Sequence, residues 1–462
     1  MGKDNVMVRP QDLVEYSTDA TFLTHPPHAV VRPANTSEVA AVLSLLNDHA
    51  VPVTTRGGGT GLSGGAVPVE GGVVLSTQRL LELEVDPASL TATVGAGVLT
   101  GHLATEAAKS GLMYPPDPAS LDICTIGGNI ATNAGGPSCL KYGVTAEYVQ
   151  GLEVVLADGR VLDLGGKSRK RSAGYRLGQL FVGSEGTLGV VTKATVRLIP
   201  MPRHRGTLLA AFRSLDSCAE SVTTLLQAGH LPAACELIDS SSLGFVSDLL
   251  PDGFPVDAAA VLLVEQDGSD GSVVTADLAE IRAIFEANGA YALASDADDA
   301  GRVDLWNARR SIGLRLIERR SHRLPEDVGV PIDRIPEMVK AVHDIAAKFG
   351  ITVALFGHAG DGNLHPSLLF EDRDPSTLKR VAEAVIEIFK TAISLGGTVS
   401  AEHGLGANKR EFAELDLGKD AVDLMRQIKA MLDPKGILNP GKIFPSGIKL
   451  DAGFMDALPG WL

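Results

Sequence analysis

The sequence predicts an α+β protein of two domains with a C-terminal segment that returns to the first. Three observations carry that reading. Short apolar runs of strand length alternate with amphipathic runs of helix length. In the first 200 residues a strand run enters a glycine-rich loop and more short strands follow. After about residue 205, two strand–helix–strand patterns come in succession, as in a ferredoxin-like sheet with helices on one side. The chain has 462 residues, 45% of them hydrophobic, so more than one core is expected.

The elements follow in order. AVVRP (29–33) reads as a strand. Asn35 then offers an N-cap with Glu38 three residues on, and Val39, Val42, Leu43 and Leu46 recur at helical spacing, so 36–49 is a helix with one buried face. VPVTT (51–55) is a strand that runs into RGGGTGLSGG (56–65). GVVLST (72–77), TATVGAG (91–97), GLEVVLAD (151–158) and GVVTKATVRLI (189–199) add short strands, and the first unit closes near Pro200. Beyond it LLAAF, the helix 216–229 and AACELI make one repeat; AAAVLLVEQ (258–266), the helix 274–288 and a strand near 291 make another. Longer helices are predicted at about 302–319, 335–349, 374–394 and 417–432. Between them lie ITVALFGHAGDGNLHPSLLF (351–370) and GGTVSAEHGLG (396–406), each a strand entering a Gly-rich turn. ILNPGKIF (437–444) reads as a return to another surface. The domains are thus expected at 1–204 and 205–430, with 431–462 as the returning segment.

Composition narrows the function. The net charge of -15 argues against a nucleic-acid or anionic-membrane partner, and 5% aromatic residues argues against base-stacking platforms. The four cysteines form no C-x-x-C pair, which argues against an iron–sulfur cluster or zinc ribbon and suits a reducing compartment. No transmembrane stretch and no signal-peptide pattern is found, so the expected location is cytoplasmic. Glycine stands at about 11% against a background of roughly 7%, without a collagen period. Much of the excess sits in five loops, 57–65, 127–136, 183–189, 357–362 and 396–406.

These loops bear the chemistry. RGGGTGLSGGA (56–66) presents unshielded backbone N–H groups that can approach a phosphate, yet it is neither a P-loop nor a Rossmann fingerprint. PPDPAS (115–120), TIGGNIATNAGG (125–136) and FVGSEGTLGVVT (181–192) offer more bare backbone. Glu185, between two glycines, reads alone as a solvated turn acid. Three such loops in one unit point to a large nucleotide-like ligand. In the second unit His358 and His365 flank a turn that can bring two imidazoles together, and Glu402-His403 adds a carboxylate. Two histidines and one carboxylate suit a divalent metal with open positions.

Together these motifs, with LNPGK (438–442), resemble the FAD-linked 2-hydroxy-acid dehydrogenases of the vanillyl-alcohol oxidase/p-cresol methylhydroxylase superfamily. That group holds glycolate oxidases, D-lactate dehydrogenases and D-2-hydroxyglutarate dehydrogenase. The resemblance spans about residues 16–444. It implies a PCMH-type FAD-binding domain first, a ferredoxin-like cap domain for substrate second, and a C-terminal segment packed back on the first. The FAD pyrophosphate is expected on Gly57, Gly58, Gly59, Thr60 and Gly61, with Arg56 also at the cofactor. Pro115, Asp117, Thr125, Gly128, Asn129, Thr132, Asn133 and Gly135 are expected around the flavin and adenosine, with Glu185, Gly186, Val190, Val191 and Asn439. Relatives with covalent flavin carry a histidine at the end of the RGGG-type loop; Thr60 stands there, which implies non-covalent FAD. By the same resemblance His358, His365 and Glu402 hold Zn or Mn, and His403 is the base. Trp306-Asn-Ala-Arg309 matches a family W-x-x-R, so Arg309 is expected on the substrate carboxylate, although alone it reads as a solvated helix-face charge. Asn363 is expected to hydrogen-bond the substrate.

Two departures matter. 2-Hydroxyglutarate members carry a lysine shortly before D-V-x-x-P, whereas this chain reads Leu324-Pro-Glu-Asp-Val-Gly-Val-Pro331, which favours a small monocarboxylate such as glycolate or D-lactate. Arg176 replaces an acid of the family's G-Y-D-L. The alternatives are a D-2-hydroxyglutarate-type dehydrogenase and a flavin-bearing non-catalytic subunit. A flavin-free metallohydrolase leaves the three N-terminal glycine loops unexplained. The electron acceptor is open among quinone, cytochrome, flavoprotein and oxygen, the basic run 167–171 reads as a solvated loop with docking of an acidic electron-transfer partner as the alternative, and a homodimer is the candidate assembly.

Overall fold

The computed structural model describes residues 1–21, 23–295, 299–319 and 322–448, so most of the tail lies outside the described residues. In the N-terminal lobe the capping prediction is realised. The Asn35 side chain accepts the N–H of Glu38, whose carboxylate accepts the N–H of Ala34, and the helix Thr36–Asp48 buries Val39 and Leu43. Strands Ala29–Val31 and Val53–Arg56 flank Val73–Ser76 in parallel, and Val6–Met7 adds an antiparallel edge. Val53–Arg56 therefore delivers the 57–65 loop from the rim of this sheet. A second, antiparallel sheet runs in the order Leu83–Asp86, Thr91–Gly95, Val190–Arg197, Val149–Val155, Val161–Gly165. The helix Ile126–Thr132 inserts Ile126 and Ile130 into the core on this sheet with Val94, Val154 and Val196.

The C-terminal lobe is built on one eight-stranded antiparallel sheet. Its first half, Ala290–Ser295, His204–Phe212, Ala260–Gly268, Ala234–Asp239, has the strand order of a ferredoxin-like unit. Thr352–His358 then pairs with Ala234–Asp239, Asn363–Phe370 follows, and His322–Pro325 lies beyond with Val328–Gly329 beside it. Helices Leu215–Gln227, Gly271–Ala287 and Ile335–Phe349 pack on one face, and Pro375–Ser394 packs beside Ile335–Phe349. The expectation of helices on one side needs correcting. Along His204–Phe212, Leu208, Ala210 and Phe212 enter that core, while Leu209 and Ala211 enter a second one under Ser240–Val246 and Asp299–Arg319. The signal was in the strands themselves: LLAAF and AVLLV are unbroken apolar runs, the mark of a sheet buried on both faces.

The helix Lys419–Leu432 and the segment after it join the N-terminal lobe. Ile428 and Leu432 pack against its antiparallel-sheet core. Val53 donates its N–H to Ile437 O and accepts the N–H of Asn439, so the returning chain lies on Val53–Arg56 as a short parallel bridge. Leu438 is fully buried there. Leu438→Ala is expected to cost about 2–5 kcal/mol and to lower the N-terminal lobe's calorimetric transition selectively.

Candidate active site

A cavity of about 370 Å³ lies between the two lobes. One wall is the glycine loops: Gly57, Gly58, Gly59, Thr60 and Gly61 line it, as do Asp117, Thr125, Gly128, Asn129, Thr132 and Gly135. Glu185, Gly186 and Val191 complete that side. Bare backbone is needed there. A Cβ at Gly57 would run into Thr125 Oγ1, and one at Gly58 into the carbonyl of Ile123. Gly59 has φ +69, and a Cβ there would strike the Arg56 guanidinium. A long cleft walled by unshielded amides and mostly apolar atoms fits an extended dinucleotide whose pyrophosphate needs N–H donors at close range.

Five residues expected at the cofactor lie outside this lining. Arg56 is buried beneath the loop and donates Nη1–H to Thr18 O at 2.6 Å. Pro115 is buried behind the wall. Asn133 caps its helix in the left-handed region and accepts the N–H of Ala146. Val190 is fully buried, because alternation along its strand sends the neighbouring Val191, not Val190, toward the cavity. Asn439 is buried and donates Nδ2–H to Gly65 O and Glu185 O, tying the C-terminal segment to two loops.

The opposite wall carries the histidine cluster. His358 ends the strand Thr352–His358, and His365 lies on the adjoining strand Asn363–Phe370; their rings meet edge-on with centroids 5.1 Å apart. Glu402 and His403 arrive on the loop after Val399. His358 Nε2, His365 Nε2 and His403 Nε2 stand 3.7, 3.3 and 3.7 Å from Glu402 Oε1. His403 stacks on His365 at 5.4 Å and 9°. His358, His365 and Glu402 present their ligand atoms at one point. Donors bound to one ion at about 2.0–2.2 Å lie roughly 3–4 Å from one another, so this donor set fits a Zn- or Mn-sized cation. His365 is pushed down to about 3 by burial, assisted by the neighbouring imidazoles, and so offers a neutral ring. For Glu402 burial works the other way, but His358, His365 and His403 hold its carboxyl at about 2.

The residues that aim this cluster were not singled out from sequence. Asp327 is completely buried, and its Oδ2 accepts the N–H groups of Glu402 and His403 at 3.0 Å and the Ser400 hydroxyl at 2.9 Å. Burial opposes its charge, but His403, Lys409 and His365 outweigh that and hold its pKa far below the carboxylate range. Glu236 accepts a hydrogen bond from His358 Nδ1 at 2.6 Å, which leaves Nε2 to face Glu402. Lys409, also buried, donates to the carbonyls of Asp327 and Val399. The only cue to Asp327 was its place in D-V-x-x-P; Glu236 sits inside an apolar strand with no local pattern to mark it.

Three expectations change in detail. Asn363 does not reach the cavity: its amide donates to Asp327 Oδ1 at 2.6 Å and Val328 O at 3.1 Å, so it braces Asp327. Arg309 does line the cavity, but it is paired with Glu236 at 2.5 Å and lies over Phe356, not on a solvated helix face. Its Nε has no acceptor among the described residues. Glu185 is no solvated turn acid. It is buried with φ +49, and its two oxygens accept the N–H groups of Leu405 and Gly406 at 2.9 and 2.8 Å, joining the flavin-side loop to the loop of His403. Burial raises its pKa to about 7.

The fold and this site define a flavin-dependent oxidase. Residues 27–165 match the FAD binding domain family, and residues 201–443 match the C-terminal domain of FAD linked oxidases. The chain belongs to the FAD-linked oxidase family. It is 46% identical to the glycolate oxidase subunit GlcD of Bacillus subtilis, over 93% of this chain and 92% of that protein. It is 40% identical to a D-lactate dehydrogenase of Archaeoglobus fulgidus, over 90% of each. The solved structure of p-cresol methylhydroxylase with substrate bound superposes with a TM-score of 0.79 at 21% identity, covering 97% of this chain and 95% of that one, and so shares the fold. No described helix is long and apolar enough to cross a membrane.

Two outcomes test this geometry. Gly58→Ala is expected to weaken FAD binding at least ~10-fold, read as the flavin-to-protein absorbance ratio after dilution. Asp327→Asn keeps the shape but weakens the acceptor for two buried N–H groups, and should lower kcat ~10–100-fold while FAD content holds.

Proposed function

We propose that this protein oxidises a small 2-hydroxy acid, glycolate or D-lactate, to the 2-oxo acid with non-covalent FAD and a divalent cation. The observation that carries the reading is the placement of His358, His365, Glu402 and His403 on the cavity wall facing the glycine loops. The names of the relatives, glycolate oxidase subunit and D-lactate dehydrogenase, support the substrate class. Bound FAD supplies the hydride acceptor at its N5, and a cation on the three ligands supplies the Lewis acidity that lowers the pKa of a substrate hydroxyl.

The chain's own residues do the rest. His403, held by its backbone N–H on Asp327, presents Nε2 as the base that takes the hydroxyl proton. Loss of that proton lets the hydrogen on the same carbon leave with its electron pair toward the flavin side. Arg309, oriented by Glu236, keeps a buried Nε–H without a partner among the described residues, and this donor suits the substrate carboxylate. A subunit that only carried flavin has no physical need for four convergent side chains braced by two buried carboxylates.

The purified protein should be yellow and bleach anaerobically on adding glycolate or D-lactate; a colourless preparation that FAD does not reconstitute, or a flavin that no 2-hydroxy acid reduces, overturns the reading. His403→Ala should retain FAD and lose turnover by roughly 10²–10⁴. His358→Ala should lower metal content and activity together, measured by elemental analysis of the dialysed protein.

A further inference from the structure

The cavity contains a cation that neither the flavin loops nor the histidine cluster uses. Arg323, on the strand His322–Pro325, lines it. Its Nη1 donates to Gly313 O at 3.0 Å, and among the described residues no carboxylate lies within ion-pairing distance. A partly buried guanidinium with one neutral acceptor is an incomplete arrangement, since five N–H donors in a fixed fork suit a carboxylate. Burial holds its pKa below the ordinary arginine value.

A second incomplete group lies beside it. Ser367 is 1% exposed, lines the cavity, and its hydroxyl has no hydrogen-bond partner among the described residues. Register places the two on the same side of the sheet as the cluster. Ser367 lies opposite Pro325, and Leu369 opposite Arg323. His365, Ser367 and Leu369 alternate onto one face, with Ser367 about 7 Å along the strand from His365. Arg323 is thus reached by going outward from His365 past Ser367. Gly313, which holds it, is one helical turn beyond Arg309 on Asp299–Arg319. The cavity therefore presents one arginine at the histidine cluster and another about a turn further out.

We propose that Arg323 and Ser367 form a second anion position in the substrate cavity, which admits 2-hydroxy acids carrying a distal carboxylate in addition to small monocarboxylates. The inference rests on the oxidation proposed above. With the hydroxyl at His403 and the first carboxylate at Arg309, the distal carboxylate of a malate- or 2-hydroxyglutarate-like acid takes the guanidinium fork and the serine hydroxyl. The missing lysine of residues 324–331 is then not a missing cation, because the charge comes from the neighbouring strand position Arg323. Glycolate and lactate leave this position to water.

The test is the ratio of kcat/KM for D-2-hydroxyglutarate or D-malate to kcat/KM for D-lactate, in the FAD- and metal-loaded protein and its variants. The wild type should oxidise at least one of the dicarboxylates. Arg323→Leu should lower the ratio ~10–100-fold and Ser367→Ala by a smaller factor, while Arg323→Lys should recover part of the loss. In the same proteins 2-oxoglutarate should perturb the flavin spectrum at an apparent Kd that rises with Arg323→Leu, a binding readout that does not depend on turnover. A wild type that bleaches with D-lactate but neither oxidises nor binds the dicarboxylates overturns this inference alone. So does a loss in Arg323→Leu that is equal for both substrate classes. If no 2-hydroxy acid reduces the flavin, the underlying reading fails with it.

Discussion

One buried carboxylate organises the site. Asp327 takes two consecutive backbone N–H groups, those of Glu402 and His403, on one oxygen, and the amide of Asn363 on the other. These bonds join the loop bearing Glu402 and His403 to the strand bearing His365. An isolated carboxylate so deep in a protein would be neutral. This one stays charged because backbone donors, Lys409 and the imidazoles surround it. The same carboxylate in turn holds the backbone of His403 in place.

Glu185 is a similar constraint between lobes. The loop that carries it lines the flavin side of the cavity, yet its carboxylate holds the amides of Leu405 and Gly406, just beyond His403. Its backbone lies at positive φ where the side chain reaches across the interface. Asn439 takes on part of that task, bonding the Glu185 carbonyl from the returning C-terminal segment. Three distant stretches of chain therefore meet behind the flavin loops, which explains why the C-terminal residues must travel back across the molecule.

Much of the architecture was legible because local rules and tertiary packing agree. The Asn35–Glu38 cap, the helix faces and the strand that enters RGGGTG need no distant partner to be recognised. The histidine cluster was legible because His358 and His365 flank a tight turn, which forces the two strands into register and the rings together. Val190 and Asn439 lie outside the cavity lining for different reasons. The first depends on which face of a strand meets the cavity, and the second on a long-range docking that no neighbouring residue announces. The helices on the second face of the eight-stranded sheet were overlooked although the unbroken apolar strands demanded a cover.

The sequence by itself determined the α+β class, the glycine positions that clear backbone for a phosphate, and the inventory of imidazoles and acids. These follow from periodicity, from the absence of Cβ atoms and from turn chemistry, all short-range. Tertiary structure alone decided which charges are paired. Arg309 is committed to Glu236, more than seventy positions earlier in the chain, whereas Arg323 meets only a carbonyl among the described residues. In the sequence Arg309 is marked only by its place in W-x-x-R, and nothing marks Arg323. Only the packing of helix against sheet settles which guanidinium is already satisfied, because the free energy of a charge depends on what surrounds it in space and not on its neighbours in the chain.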